Sequence, residues 1–257
     1  MSAVQVETGR HDIPKASGDY FRRFVTALKQ RGTELIVIPV PRSGFTFSGT
    51  LDASEIEGSV FAKGNHPDFK KQALDAYQSS IANLASYGVT AADFMSAANT
   101  ELTRNPKKQL FFLQDGHWRP EGAEVAAKAV ATTLAAKLPS LKEQISTKEF
   151  KLVPGPVTQR NGFGWDVRVK LDCPNTKWQP LVEPYPTVKA ELVSGGDLLS
   201  DDEFPVYLAG TSYSADSYKM GLESYLKKAL GTDLTNIAIN GGEAMSSMLD
   251  FYTFNGD

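Results

Sequence analysis

The chain predicts an α/β fold: a three-layer α/β/α sandwich on a mainly parallel sheet, interrupted by one β-rich insertion. Two observations support that class. Short apolar runs of strand type alternate with amphipathic helical stretches, as in a sheet covered on both faces. That rhythm then breaks over residues 140–205, where prolines accumulate. A chain of 257 residues has room for one such domain with an insertion. The expected organisation is a polar tail over 1–14 closed by Pro14, then one folded domain over 15–257 that contains the 140–205 excursion.

From Ser17 to Arg31, Phe21, Phe24, Val25 and Leu28 recur at helical spacing, and Gly32 ends the run. The apolar run Leu35 to Ile38 reads as a strand buried on both faces. Pro39, Pro41 and Gly44 turn the chain out of it into a loop carrying Arg42 and Ser43, and residues 45–66 stay loop-like. A second helix is predicted from Pro67 to Tyr87, stopped by Gly88, followed by a short strand from Val89 to Met95 that holds Asp93. Gln109 to Gln114 is the next strand. It leads into a turn with Asp115 and His117, then a helix from Pro120 to Leu138, with Pro120 and Glu121 as start signals.

Within 140–205, Pro154, Pro156, Pro174, Pro180, Pro184 and Pro186 rule out long helices. Phe150 to Val153 and Trp165 to Leu171 alternate like antiparallel strands, so this region is expected to be β and coil at the sheet edge. The core resumes with a strand from Val206 to Ala209, a turn with Ser212, a helix from Ala215 to Leu230 and a strand from Asn236 to Asn240. Gly241-Gly242 and a helical turn near Met245 to Phe251 close the sequence.

Asp115, His117 and Ser212 are the chemically informative residues. A serine hydroxyl needs a base to remove its proton as it attacks, and the base needs a carboxylate to fix its tautomer. Asp115 and His117 are two apart, so on extended backbone they point the same way. Both Asp115-Gly116-His117-Trp118 and Gly210-Thr211-Ser212-Tyr213-Ser214 follow apolar runs, and α/β chemistry gathers at the carboxyl ends of strands. With Ser212 between strand and helix, its backbone N–H is expected at or near a helix N-terminus, which favours an oxyanion. Gly241-Gly242 is either a second donor site, open because no Cβ intervenes, or a plain turn. Arg42 is a candidate for binding an anionic substrate group or a solvated surface arginine. Trp118 and Tyr218 either line a cleft for sugar rings or pack beneath it.

The composition excludes other classes. A net charge of -3 gives no basic footprint for nucleic acid. No apolar run approaches the roughly 18 residues of a membrane span. The start has neither the basic nor the apolar region of a signal peptide, so either the protein is cytoplasmic or a leader was removed. Cys173 is the single cysteine, which excludes an internal disulfide. His11, His66 and His117 share no ligand spacing, so no metal and no cofactor is expected.

With Pro120-Glu121-Gly122-Ala123 beside the first segment, the two motifs resemble the alginate O-acetyltransferases of bacterial exopolysaccharide export. These are the periplasmic J- and X-type proteins, whose fold is like that of the SGNH (GDSL-type) hydrolases. The Asp-x-His segment precedes the serine here as it does there, and the pattern at 77–84 leading to Asp93 and the Pro184-Tyr185 pair add to the likeness, which spans roughly 20–250. The resemblance implies a periplasmic SGNH-like catalytic domain that moves acetyl to hydroxyls of an alginate-like exopolysaccharide through an acetyl-Ser212 intermediate. By position, Asp115 would orient His117, His117 would act as base, Gly241 or Gly242 would supply the second oxyanion donor, and Tyr218 would line the acceptor site. The implied partners are the polysaccharide and an acetyl donor passed on by a membrane acyltransferase. X-type members carry a carbohydrate-binding module, for which these 257 residues hold no segment, so a catalytic domain alone is the expectation. A carbohydrate acetylesterase, or a non-catalytic polysaccharide-binding scaffold with a vestigial triad, are the alternatives.

Overall fold

The computed structural model describes residues 15–41, 69–161, 179–195, 205–241 and 246–247. The expected tail, the 45–66 loop, the strand from Trp165 to Leu171, Arg42 and Gly242 lie outside these described residues, as does most of the final turn. The chain forms two units, Met1–Thr103 and Arg104–Asp257.

In the first unit, α1 (Lys15–Gln30) and α2 (Phe69–Ser86) flank the parallel pair β1 (Ile36–Val37) and β2 (Thr90–Ala91), with Ile36 opposite Thr90. The apolar stripes predicted from spacing meet here: Val25, Leu84 and Val89 are buried together, with Phe21, Leu35, Val37 and Tyr87 against them. Both helices end alike. Gly32 (φ 74°) and Gly88 (φ 81°) take the left-handed conformation that lets the next residue, Thr33 or Val89, donate back to Leu28 or Leu84. The Tyr77 hydroxyl donates to the Pro39 carbonyl at 2.9 Å and accepts from the Phe94 amide at 3.1 Å.

Asp93 corrects the sequence reading. The strand ends at Ala91, and α3 (Phe94–Arg104) begins where a strand from Val89 to Met95 was expected. Asp93 is the cause: its carboxylate accepts from the Ser96 amide at 3.0 Å and the Ser96 hydroxyl at 2.7 Å, capping the helix start.

In the second unit, α4 (Pro120–Lys137) packs against α6 (Leu222–Leu230). An alanine-rich face on α4 (Ala123, Ala126, Ala127, Val130) and Leu222, Leu226 and Leu230 at i, i+4 spacing on α6 bury the apolar sides of these helices. The short α5 (Pro139–Ile145) leads into a long antiparallel hairpin, β3 (Lys148–Asn161) and β4 (Val182–Gly195). Among the described residues of 140–205, most of those after α5 are in these two strands. Four of its prolines, Pro154, Pro156, Pro184 and Pro186, however, sit inside the strands. Each strand of a two-stranded ladder has a free edge where a missing N–H breaks no bond, and the register shifts between Pro154 and Val157. The parallel pair β5 (Tyr207–Leu208) and β6 (Thr235–Asn236) completes the unit.

The strand predicted over 109–114 is not a regular strand. Leu110, Phe111 and Phe112 are fully buried, but the chain folds back at once: Arg119 donates to Leu110, Phe112 donates to the His117 carbonyl, and Phe111 forms an isolated bridge with Trp118. The returning loop thereby engages the Leu110 carbonyl and the Phe112 amide.

Candidate active site

The 113–119 loop is shaped by Asp115. Its Oδ1 accepts from the His117 amide at 2.8 Å, an Asx-turn that sets the imidazole beside the carboxylate. His117 Nδ1 then donates to that same oxygen, and Arg160 on β3 donates through Nε to Oδ2 at 2.7 Å. On the other side of the ring, His117 Nε2 lies 2.7 Å from Ser212 Oγ. The structure therefore brings Asp115, His117 and Ser212 into one hydrogen-bonded line. Asp115 and His117 are largely enclosed, with side chains 15% and 18% exposed, so the line is reachable from solvent only at an edge.

Ser212 is presented by a turn after β5. Thr211 accepts from the amides of Ser214 and Ala215 at 2.9 and 3.0 Å, which closes a single helical turn around the serine. Gly210 makes that turn possible, because a Cβ there would meet Ser214 Oγ at 2.6 Å. The amide of Gly210 donates to the buried Ser247 hydroxyl at 3.1 Å. The expected helix from Ala215 begins only at Leu222, after a 3₁₀ turn over Asp216–Tyr218 and Gly221 at φ 80°. Among the described residues no helix begins at Ser212, whose own amide lies in a turn.

Tyr213 locks the two loops together. Its hydroxyl donates to the Gly116 carbonyl at 2.5 Å, and its ring lies 4.7 Å from the imidazole. Trp118 Nε1 donates to the Tyr213 carbonyl at 3.0 Å. Trp118 is 1% exposed, so of its two readings, lining a cleft or packing beneath it, the burial matches the second. Gly241 follows β6 with φ 75° and open space where a Cβ would stand, and Ile239 beside it donates to the Gly210 carbonyl at 3.1 Å, so this segment borders the serine loop. The backbone of Tyr218 ends the 3₁₀ turn, while its side chain, like Arg42 and Gly242, is outside the described residues.

Arg160 and Glu183 went unrecognised in the sequence. Glu183, buried on β4, accepts from the Leu113 amide at 2.9 Å and lies 3.5 Å from Arg119 Nη1. Gln114 accepts from the Leu181 amide at 2.5 Å and donates to the Gln179 carbonyl at 3.1 Å. No spacing links these residues to Asp115, since the hairpin alone brings them there.

Burial alone pushes the Asp115 carboxyl upward, but hydrogen bonds from the His117 ring, the His117 amide and Arg160 outweigh it. They hold the group well below the usual carboxylate range. A depressed folded-state value means that ionised Asp115 stabilises the fold above the unfolded carboxyl value of about 3.9, and that this contribution is lost as pH falls further. Unfolding by urea at stepped pH from about 5 down to about 2 should therefore show a steeper acid loss in the parent than in Asp115→Asn. Parallel curves would mean that the contacts around Asp115 contribute nothing to stability.

Among the described residues, no cluster of three or more His, Cys, Asp or Glu side chains is arranged to hold a metal ion, and no helix is long and apolar enough to cross a membrane.

Residues 3–255 match the family described as the SGNH hydrolase-like domain of the acetyltransferase AlgX. The alginate biosynthesis protein AlgX of Pseudomonas putida is 31% identical over 227 residues, covering 88% of this chain and 44% of the relative. The probable alginate O-acetylase AlgJ of Pseudomonas fluorescens is 33% identical over 229 residues, covering 87% and 52%. The solved structure of Pseudomonas aeruginosa AlgX superposes with a TM-score of 0.66 at 26% identity, over 88% of this chain and 49% of that one. The chain spans about half the length of the curated relatives it matches.

Proposed function

This chain belongs to the AlgX family of SGNH-hydrolase-like acetyltransferase domains, and we propose that it moves acetyl groups onto hydroxyls of an alginate-like exopolysaccharide through an acetyl-Ser212 intermediate. The observation that carries this reading is the hydrogen-bonded line from Asp115 through His117 to Ser212. The names of the relatives support the acetyl group and the polymer.

The geometry favours the following chemistry. A carboxylate that accepts from Nδ1 keeps the imidazole proton there and leaves the Nε2 lone pair facing Ser212. Ser212 Oγ adds to the donor's carbonyl carbon as Nε2 takes the hydroxyl proton. The bond to the donor's leaving group breaks, and the leaving group departs with that proton. A sugar hydroxyl then gives its proton to Nε2 and attacks the acetyl-serine; Ser212 leaves and regains the proton. The oxyanion at each stage is bound by turn amides, those of Ser212 and of Gly241 or Gly242. Arg42 and Tyr218 are assigned to substrate binding, with Tyr218 toward the acceptor.

We read the domain as a three-layer sandwich with 140–205 inserted, consistent with the parallel pairing of β1 with β2 and of β5 with β6. The setting proposed is the periplasm, with acetyl passed on by a membrane acyltransferase.

Intact-mass measurement after brief exposure to 4-nitrophenyl acetate tests the intermediate. The parent should gain one acetyl group and Ser212→Ala none. An adduct that persists in Ser212→Ala, or no adduct on the parent, overturns the covalent route. Adding alginate oligosaccharide separates transfer from hydrolysis: acetylated sugar supports the reading, whereas free acetate alone makes the protein an esterase.

A further inference from the structure

We infer that Arg160, on the β3 arm of the hairpin, is a positioning residue that holds Asp115 in place for His117 and opposes build-up of charge on the imidazole. The inference rests on the reading of His117 as the base.

The hairpin register places Arg160 directly opposite Glu183. Cross-strand neighbours of opposite charge ordinarily pair with each other. These two instead both bond the 113–119 loop: Arg160 reaches Asp115 and Glu183 reaches the Leu113 amide. One rung of the ladder thus grips the loop at two points, two residues apart. The Arg160 side chain is only 14% exposed, so its ion pair with Asp115 is poorly screened by solvent.

Arg160 acts on the base in two ways. By occupying Oδ2 it stops the carboxylate from rotating, which keeps Oδ1 aimed at Nδ1. Its Nη2 also lies 3.0 Å from Nδ1. With the Nδ1 proton committed to Asp115, this approach makes no further hydrogen bond; it sets a fixed positive charge beside a ring that must become positive during the reaction. Among the described residues, groups facing the ring are Asp115 from its own loop, Arg160 from β3, and Ser212 and Tyr213 from the loop after β5. Tyr185 from β4 stands within electrostatic reach of Asp115 and Arg160, and burial keeps its phenol neutral. Arg160 is the cation among them.

Arg160→Gln removes the charge, whereas Arg160→Lys keeps it but loses the flat two-point grip. With 4-nitrophenyl acetate, Arg160→Gln should lower kcat about tenfold to a hundredfold at unchanged KM. Its rising pH limb should move upward by about one unit. Arg160→Lys should lose rate with the limb near the parent's position. A support that only stabilised the fold would lower the unfolding midpoint and leave the limb where it was. An unmoved limb in Arg160→Gln overturns the inference, whatever happens to the rate. If Arg160→Gln does not fold, Arg160→Lys decides, and parent-like kcat overturns it. Should the parent itself form no acetyl adduct, the functional reading fails separately. The ring nitrogen resonances of His117 followed through a pH titration then decide without turnover, because Arg160→Gln must still shift the midpoint upward.

Discussion

His117→Ala is expected to lower the rate of acetyl transfer on the order of 10⁴- to 10⁶-fold, because among the described residues His117 is the base that lies against the Ser212 hydroxyl. Tyr213, whose ring lies against the imidazole, has its hydroxyl proton engaged by the Gly116 carbonyl. The fold should survive the change. Asp115 keeps two of its donors, the residue 117 amide and Arg160, so no buried carboxylate is left unpaired. The rate in the parent should rise as pH climbs out of the acid range, since only a neutral imidazole can accept a proton, and His117→Ala should lose that rise. Release of 4-nitrophenol in the first turnover measures both quantities. A variant within tenfold of the parent would remove His117 from the chemistry.

Trp118→Ala should cost about 3–5 kcal/mol of stability, the range for deleting a fully buried large aromatic. Two kinds of contact are lost at once, while a third, at the Cβ that alanine keeps, holds helix α4 close. The ring is enclosed and meets Tyr213 edge-on at 5.2 Å, and its Nε1–H holds the Tyr213 carbonyl. Helix α4 also rests against it: a Cβ on Gly122 would stand 2.7 Å from the Trp118 Cβ, so the first turn of the helix has no slack to fill the cavity. Trp118→Phe keeps most of the apolar volume and loses the hydrogen bond, for about 1–3 kcal/mol. Urea unfolding of both variants checks the order. A loss under about 1 kcal/mol in Trp118→Ala would mean that this ring is not the support described.

What the sequence made legible were the residues whose signal is local. Asp115, His117 and Ser212 stand in short motifs, and the apolar stripes of α1, α2, α4 and α6 repeat at helical spacing. Three misreadings share one cause. The Leu110 to Leu113 run is apolar because it is buried, and burial does not distinguish a strand from a tight returning loop. Asp93 looked like a residue within a strand, although an acid three residues before Ser96 is also a helix cap. The Ala215 helix starts late because Gly221 permits a left-handed step that the apolar pattern does not reveal. Arg160 and Glu183 were illegible for a deeper reason. Their partners lie 45 and 70 positions away, and only the register of the hairpin brings them there.

Those separations bear on when the protein becomes chemically competent. Helices grow from neighbours in the chain, but His117 and Ser212 meet across 95 positions, with the whole hairpin lying between them in sequence. Contacts that close so long a loop incur the entropy of closure before they return anything, so they belong to the slow, non-local part of folding. A half-folded chain can therefore have its helices and still carry an ordinary serine hydroxyl, with no base beside it. On the proposed mechanism, nucleophilicity waits for that long-range contact, and a chain that has not yet made it lacks the activated serine that an ester would acylate.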